Sequence, residues 1–187
     1  MVVYTIKNKC RSCQSSNFEE VLSLGKQCIS AFVDTKTESI KAPLNLNLCQ
    51  NCNLLQLKYT TNPDILYSDN YSYRSGINQS MKDELSKLVA STMAQKRLEE
   101  GDIVVDIGSS DGTLLSYYPE NIVKVGFEPI HKFQSYYEGH RKVFFNEFFN
   151  AKSFHKYFLD KKAKIITAIA MFYDLDDPNR FLKDITL

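Results

Sequence analysis

Two groups of residues in this chain have the types and spacing of a chemical site, and a third group lies between them. The first is a pair of knuckles, Cys10-Arg-Ser-Cys13 and Cys49-Gln-Asn-Cys52. Each places two thiolates on one side of a tight turn, and four thiolates at about 2.3 Å complete a tetrahedral zinc shell. No ligand position is left for water, so zinc held this way is structural. A dithiol redox pair or unmetallated thiols have the same spacing. Cys28, the fifth cysteine, reads as a small buried apolar residue.

The second group lies in D-I-V-V-D-I-G-S-S-D-G-T-L-L, residues 102–115. Gly108 and Gly112 let the backbone turn sharply and approach a ligand, while N–H groups opening the next helical pattern point into the loop. Taken alone, such a loop is equally a plain βα turn. Glu128 ends the next apolar run, twenty residues after Gly108. An acidic side chain there can accept both hydroxyls of a ribose lying across the strand ends. Ser110 and Thr113 stand where a G-x-G-x-x-G dinucleotide fingerprint needs glycine, so the spacing is acidic-x-Gly-x-x-x-Gly from Asp106 to Gly112. The third group is Y-S-D-N-Y-S-Y-R-S-G, residues 67–76, whose tyrosines, arginine and hydroxyls suit a polar pocket or an interdomain loop with aromatic anchors.

Positioning these residues requires two kinds of architecture. Phe18–Leu24 and Leu44–Leu48 alternate in part or strictly, and Leu54, Leu55 and Leu57 continue after the second knuckle. Short antiparallel strands clamped by a metal are the simplest reading, a zinc-ribbon-like β module over residues 1–62. Residues 63–100 form a connector and a long amphipathic helix, with Ile77, Met81, Leu85, Leu88, Val89 and Leu98 near helical spacing and Gly101 as a C′ stop. From 101 to 187 the pattern is α/β. Ile103–Ile107 has no strict alternation and so reads as a strand buried on both faces, with further strands at Ile122–Phe127, Lys142–Phe145 and Lys164–Ala170. Strands alternating with helical stretches predict a parallel doubly wound sheet with ligands at its carboxyl edge.

The 187 residues are 43% hydrophobic and 24% charged, ordinary for a globular protein, and the formal net charge of +1 argues against nucleic acid or an anionic membrane as partner. No apolar run approaches the roughly 20 residues needed to span a bilayer, and the cysteine pattern suits a reducing, cytoplasmic setting. His131, His140 and His155 are scattered and read as surface or capping residues.

The Asp106–Gly112 loop resembles the first motif of class I S-adenosylmethionine-dependent methyltransferases, which implies a Rossmann-like fold. By position, the resemblance assigns Asp106, Gly108, Ser110 and Gly112 to the methionine part of the cofactor and Glu128 to its ribose. Asn146 with Glu147 or Phe148 would flank the adenine. Four cysteines, then Y-S-Y-R-S-G, D-I-G-S-S-D-G-T-L-L, V-G-F-E-P and F-F-N together resemble the nucleotide-sugar C-methyltransferases over nearly the whole chain. That family implies a nucleotide-linked 4-keto sugar as partner and structural zinc beside S-adenosylmethionine, with Tyr73, or else Tyr71, facing the sugar. A base removes the proton beside the ketone and the enolate attacks the methyl.

Two departures matter. Asp174 stands where several relatives have a histidine near the substrate. Relatives also continue beyond the point corresponding to Leu187, so the resemblance implies an N-terminal fragment whose catalytic base lies further on, with apolar surface left exposed. Such a fragment is expected to bind the cofactor weakly and turn over nothing. The oligomeric state is left open. Competing readings are an O- or N-methyltransferase on another small acceptor, and a zinc-ribbon module for nucleic acid or protein on an α/β scaffold.

Overall fold

The computed structural model describes residues 2–29, 39–68, 71 and 73–186. Within the Tyr67–Gly76 segment, Asp69, Asn70 and Ser72 lie outside the described residues, as does Leu187. The chain divides into two units, residues 1–72 with 174–183, and residues 73–173 with 184–187.

In the first unit the strands are β1 (Tyr4–Ile6), β2 (Phe18–Cys28), β3 (Lys41–Cys49), β4 (Leu55–Leu57) and β5 (Tyr59–Thr61). β1 pairs antiparallel with β5, and β2, β3 and β4 form an antiparallel sheet in that order. The alternation expected at Leu44–Leu48 is present, but its buried face is the polar one. Asn45 and Asn47 are buried while Leu44, Leu46 and Leu48 are half-buried. Asn45 is satisfied there by donating to the Ser23 hydroxyl at 2.9 Å. Besides these polar residues, the buried centre of residues 2–68 holds chiefly Cys10, Cys49 and Ala42. An interior so poor in aliphatic side chains gains little from hydrophobic burial, and a metal at the cysteines would supply folding energy that it lacks. Cys28 is exposed at the end of β2, which corrects the buried reading. The turn at Asn62 starts α1 (Pro63–Leu66), with the Asn62 side chain accepting from the Asp64 N–H.

The second unit begins with α2 (Gln79–Gln95), capped by Asn78, whose side chain accepts from the Ser80 N–H. The helix stops well before Gly101. Lys96 is extended, and the Glu99 N–H is taken by the Asp102 carboxylate at 2.8 Å. Gly101 instead adopts φ +83° in the turn that delivers Asp102 to the sheet. There follow β6 (Ile103–Ile107), α3 (Thr113–Ser116), β7 (Val123–Phe127), a 3₁₀ turn at His131–Tyr137, β8 (Lys142–Phe145), α4 (Ala151–Phe158) and β9 (Ala163–Ala168). The last helix, α5 (Pro178–Thr186), is shared between the units.

The four strands are parallel in the order β8-β7-β6-β9. Every residue of β6 is buried, as its unbroken apolar run implies. Strand order reverses between β6 and β9, and a crevice at such a switch point is where open α/β sheets bind ligands. Leu85 and Val89 of α2 join Leu114 and Leu115 of α3, Val104, Ile122, Ile165 and the ring of Tyr137 in one core.

Gly126, in the middle of β7, admits that ring to the sheet. A Cβ there would lie 2.4 Å from Tyr137 Cε1 and 2.6 Å from Ser109 Oγ. Gly126→Ala is therefore expected to cost about 3 kcal/mol, the upper range for overpacking a core, read as a lower denaturant midpoint at unchanged slope. A midpoint equal to that of the parent would show that Tyr137 does not need this space.

Candidate functional site

The cysteine knuckles are built alike. In the first, the Cys10 N–H donates to Ser15 O and Cys10 O accepts from the Gln14 N–H. In the second, the Cys49 N–H donates to Leu54 O and Cys49 O accepts from the Asn53 N–H. Gln14 and Asn53 turn the chain with φ of 63° and 60°. The result brings Cys10 Sγ to 3.6 Å from Cys52 Sγ and Cys13 Sγ to 3.6 Å from Cys49 Sγ, with all four sulfurs within 4.8 Å of one another. A zinc–sulfur bond of about 2.3 Å requires tetrahedral edges of about 3.8 Å. The four thiols thus fit zinc without rearrangement. Burial pushes the Cys49 thiol up, but N–H groups of Asn51 and Cys52 and the neighbouring Cys13 and Cys52 thiols outweigh it and bring it down to about 7. Saturated by four sulfurs, zinc here organises the fold and has no site for substrate.

At the switch point of the sheet, the chain leaves β6 through a turn that is left-handed at Gly108, Ser110 and Gly112, with φ of 71°, 50° and 71°. Glu128, buried at the end of β7, closes this turn. Its Oε2 accepts the Ser110 N–H at 2.9 Å and its Oε1 the Ile130 N–H at 3.0 Å. Burial raises the Glu128 carboxyl from its ordinary value, and the two N–H groups oppose that rise. The Tyr137 hydroxyl donates toward the carbonyls of Ser109 and Ser110 at 3.3 and 3.4 Å, supporting the turn from the core side. Asp106, on β6, receives the Thr167 hydroxyl at 2.6 Å. Burial, with a smaller contribution from the charge of Glu128, pushes Asp106 up to about 7 against that hydrogen bond. Asn146 lies beyond β8 and donates to Glu128 O at 3.0 Å and Pro129 O at 2.8 Å, while Phe148 is half exposed. Asp106, the 108–112 loop, Glu128 and Asn146 therefore share one carboxyl edge of the sheet.

The tyrosine segment divides between the units. Tyr71 belongs to the first, its ring 5.7 Å from that of Tyr67. Asp174 is in the same unit and accepts from the Tyr67 hydroxyl at 3.0 Å; its burial raises the carboxyl, opposed by that bond. Tyr73 opens the second unit with a ring 48% exposed. Beyond it, Arg74, Ser75 and Gly76 are latched to the glycine loop. Asp111 Oδ2 accepts the Gly76 N–H at 3.0 Å and lies 3.3 Å from Arg74 Nε, and the Ser75 N–H reaches Ser110 Oγ at 3.4 Å. A Cβ on Gly76 would stand 2.5 Å from Asp111 Oδ2, so the latch requires glycine.

Sequence reasoning missed Asp111, Tyr137, Thr167 and the buried Lys124 as members of this region. Gly126 inside an apolar strand was the signal for Tyr137, because a strand glycine marks close approach by another group. The others are set by register and packing, which local pattern does not carry.

Residues 10–67 match the profile of a methyltransferase-associated family described as "Putative zinc binding domain". The chain is also similar to the C-methyltransferase NovU of Streptomyces niveus, with 28% identity over 116 residues. The match covers 59% of this chain and 27% of that protein. Both findings support the resemblance to C-methyltransferases that carry an N-terminal zinc-binding domain. No helix among the described residues is long and apolar enough to cross a membrane.

Two outcomes follow from this geometry. Elemental analysis of purified protein should find one zinc per chain, and Cys49→Ser should abolish it together with the β-sheet signal of the first unit, since structural zinc contributes about 10–16 kcal/mol to such modules. Full zinc occupancy in that variant would remove Cys49 from the shell. For Asp106, a carboxyl raised to about 7 from 3.8 means that the folded state holds more protons between those values. Stability due to this group is full below the lower value and falls as pH rises toward the upper one. Asp106→Asn should therefore match the parent near pH 4 and exceed it at pH 8 in denaturant titrations; a pH-independent difference would refute the buried-acid account.

Proposed function

We propose that this chain supplies the cofactor-binding part of an S-adenosylmethionine-dependent methyltransferase that methylates carbon on a nucleotide-linked 4-keto sugar. The observation that carries the reading is the left-handed loop at Gly108–Gly112, closed by the buried carboxylate of Glu128 at the strand-order switch point. The similarity to a C-methyltransferase and the zinc-domain match support the same reading. Five thiols, all free, suit a cytoplasmic setting.

The residues present fit the cofactor. Gly108 and Gly112 offer backbone without side chains, so a ligand can approach the loop closely. Glu128 uses one acceptor position of Oε2 for the Ser110 N–H and one of Oε1 for the Ile130 N–H, and a carboxylate has about four such positions. The remaining two are available to ribose hydroxyls. Asn146, anchored to the end of β7, and Phe148, with a half-exposed ring, would border the adenine. When bound, S-adenosylmethionine supplies an electrophilic methyl group. The exposed phenol of Tyr73 would donate to the substrate ketone and orient it, with Tyr71 as the second choice. Asp174, whose carboxyl is raised by burial against the Tyr67 hydrogen bond, stands in the position that relatives give to a histidine.

Calorimetric titration with S-adenosylmethionine tests the cofactor half. Binding is expected, and Glu128→Gln should weaken it about tenfold or more, because the amide cannot accept at both ends; each factor of ten is about 1.4 kcal/mol. No heat with the parent protein, or equal affinity in the variant, would overturn it. For the acceptor, the full-length protein of which this chain is read as the cofactor-binding part, given labelled cofactor and a nucleotide-linked 4-keto sugar, should give a product with a new carbon–methyl bond by NMR. A methyl on oxygen or nitrogen would replace this substrate assignment.

A further inference from the structure

We propose that the second unit contains a binding site for a phosphoryl anion, in a cavity that meets the cofactor loop only at Gly112. The cavity measures about 270 Å³ and its lining includes Arg74, Lys82, Lys124, Lys142, Tyr136 and Asp111. Four cations thus face a space with one lining carboxylate. That carboxylate is already engaged, since Asp111 accepts the Gly76 N–H at 3.0 Å and both the N–H and the hydroxyl of Thr113 at 3.2 and 2.5 Å.

The cations are under-compensated. Lys124 is 2% exposed in the middle of the sheet. Its ion-pair partner is Glu120 at 2.9 Å, whose side chain is 84% exposed, so water screens the charge that must offset a buried ammonium. The parallel register of β7 and β8 sets Lys124 directly beside Lys142, and like charges on paired strands repel. Among the described residues neither Lys82 nor Lys142 makes an ion pair. Arg74 lies over the Tyr136 ring at 5.4 Å, donates to the Tyr136 hydroxyl and is ion-paired with Asp111 at 3.3 Å, but its buried Nε–H has no hydrogen-bond acceptor.

A multiply charged oxyanion answers each of these features. It would separate Lys124 from Lys142, give Lys82 a counter-charge and offer the Arg74 fork an acceptor of matching geometry. The volume lies just below the roughly 300–1,000 Å³ of drug-sized ligand sites. It therefore suits one or two phosphoryl groups, free or at the end of a larger molecule, more than a whole nucleotide. The inference stands on the cavity and does not require the methyl-transfer reading.

The test is calorimetric titration of the protein with inorganic pyrophosphate and, separately, thymidine diphosphate, in phosphate-free buffer at low and high salt. Pyrophosphate should bind, its affinity should fall steeply with salt, and Lys82→Gln/Lys142→Gln should weaken it about tenfold or more. Both lysines are only half-buried, so this variant should keep the parent circular dichroism. A parallel titration with S-adenosylmethionine should be unchanged by the double substitution, which separates failure of this site from failure of the cofactor assignment. Thymidine diphosphate binding about tenfold tighter than pyrophosphate would identify a nucleotide as the source of the anion, and equal affinities a free phosphoryl anion. No pyrophosphate binding by the parent, or the same affinity in the lysine variant, would overturn the proposal.

Discussion

The glycine loop depends on the carboxylate of Glu128 more than on its glycines. Gly108 and Gly112 permit left-handed backbone, but Ser110 adopts φ 50° between them, a conformation that carries a cost for a residue with a Cβ. The hydrogen bond from the Ser110 N–H to Glu128 Oε2 offsets that cost and fixes where the loop stands above β7. The other oxygen holds the Ile130 N–H and so fixes the chain leaving β7. One side chain therefore sets the spacing of two strand ends, and a ligand lying across them would find a preformed edge.

The same arrangement concentrates unfavourable electrostatics. Asp106 and Glu128 are both buried, and the charge of Glu128 adds to the rise of Asp106. Tyr137 is raised well above its ordinary value, by burial first and by Asp106, Glu128 and Asp111 as well. A phenol kept protonated remains a donor toward the loop carbonyls, so the acids that disfavour its ionisation also preserve its bonds to Ser109 and Ser110. Stability lost to buried acids at the strand ends is compensated in the core beneath, where Tyr137 packs among aliphatic side chains over Gly126.

Much of this was legible in the sequence where chemistry and periodicity coincide. The unbroken Ile103–Ile107 run gives a fully buried strand, Lys142–Phe145 a strand with those bounds, and the two knuckles one sulfur cluster. Illegible were features that local pattern leaves undetermined. Alternation at Leu44–Leu48 gives a period and not a choice of face; inside, Asn45 donates to Ser23, whereas the Asn47 Oδ1 is buried without a partner. The helix α2 stops at Gln95 because Lys96 turns extended, and beyond it Asp102 captures the Glu99 N–H, a local side-chain competition that helical spacing does not show. Lys124 falls within the strand read at Ile122–Phe127, but only the register of β7 sets it beside Lys142.

The zinc module also shows how a metal without an open coordination site can matter to residues far along the chain. The first knuckle presents the carbonyls of Arg11 and Ser12 outward, and the Asn179 side-chain amide donates to both, at 3.3 and 2.7 Å. The Arg11 side chain donates to Leu57 O at 2.7 Å and Thr60 Oγ1 at 2.6 Å, and lies 3.8 Å from Asp176, which Lys7 and Thr60 also contact. Desolvation raises Asp176, but the hydrogen bonds from Lys7 and Thr60 and the charges of Lys7 and Arg11 reverse this and leave it below the ordinary range. Residues 174–183 are thus fastened to a turn whose shape a four-sulfur metal shell would hold. Exposed ion pairs alone contribute little. Here they share their groups with backbone carbonyls of the knuckle, so loss of the metal would release the turn and those acceptors together. Zinc bound there would accordingly hold residues 174–183 within the first unit through carbonyl geometry alone.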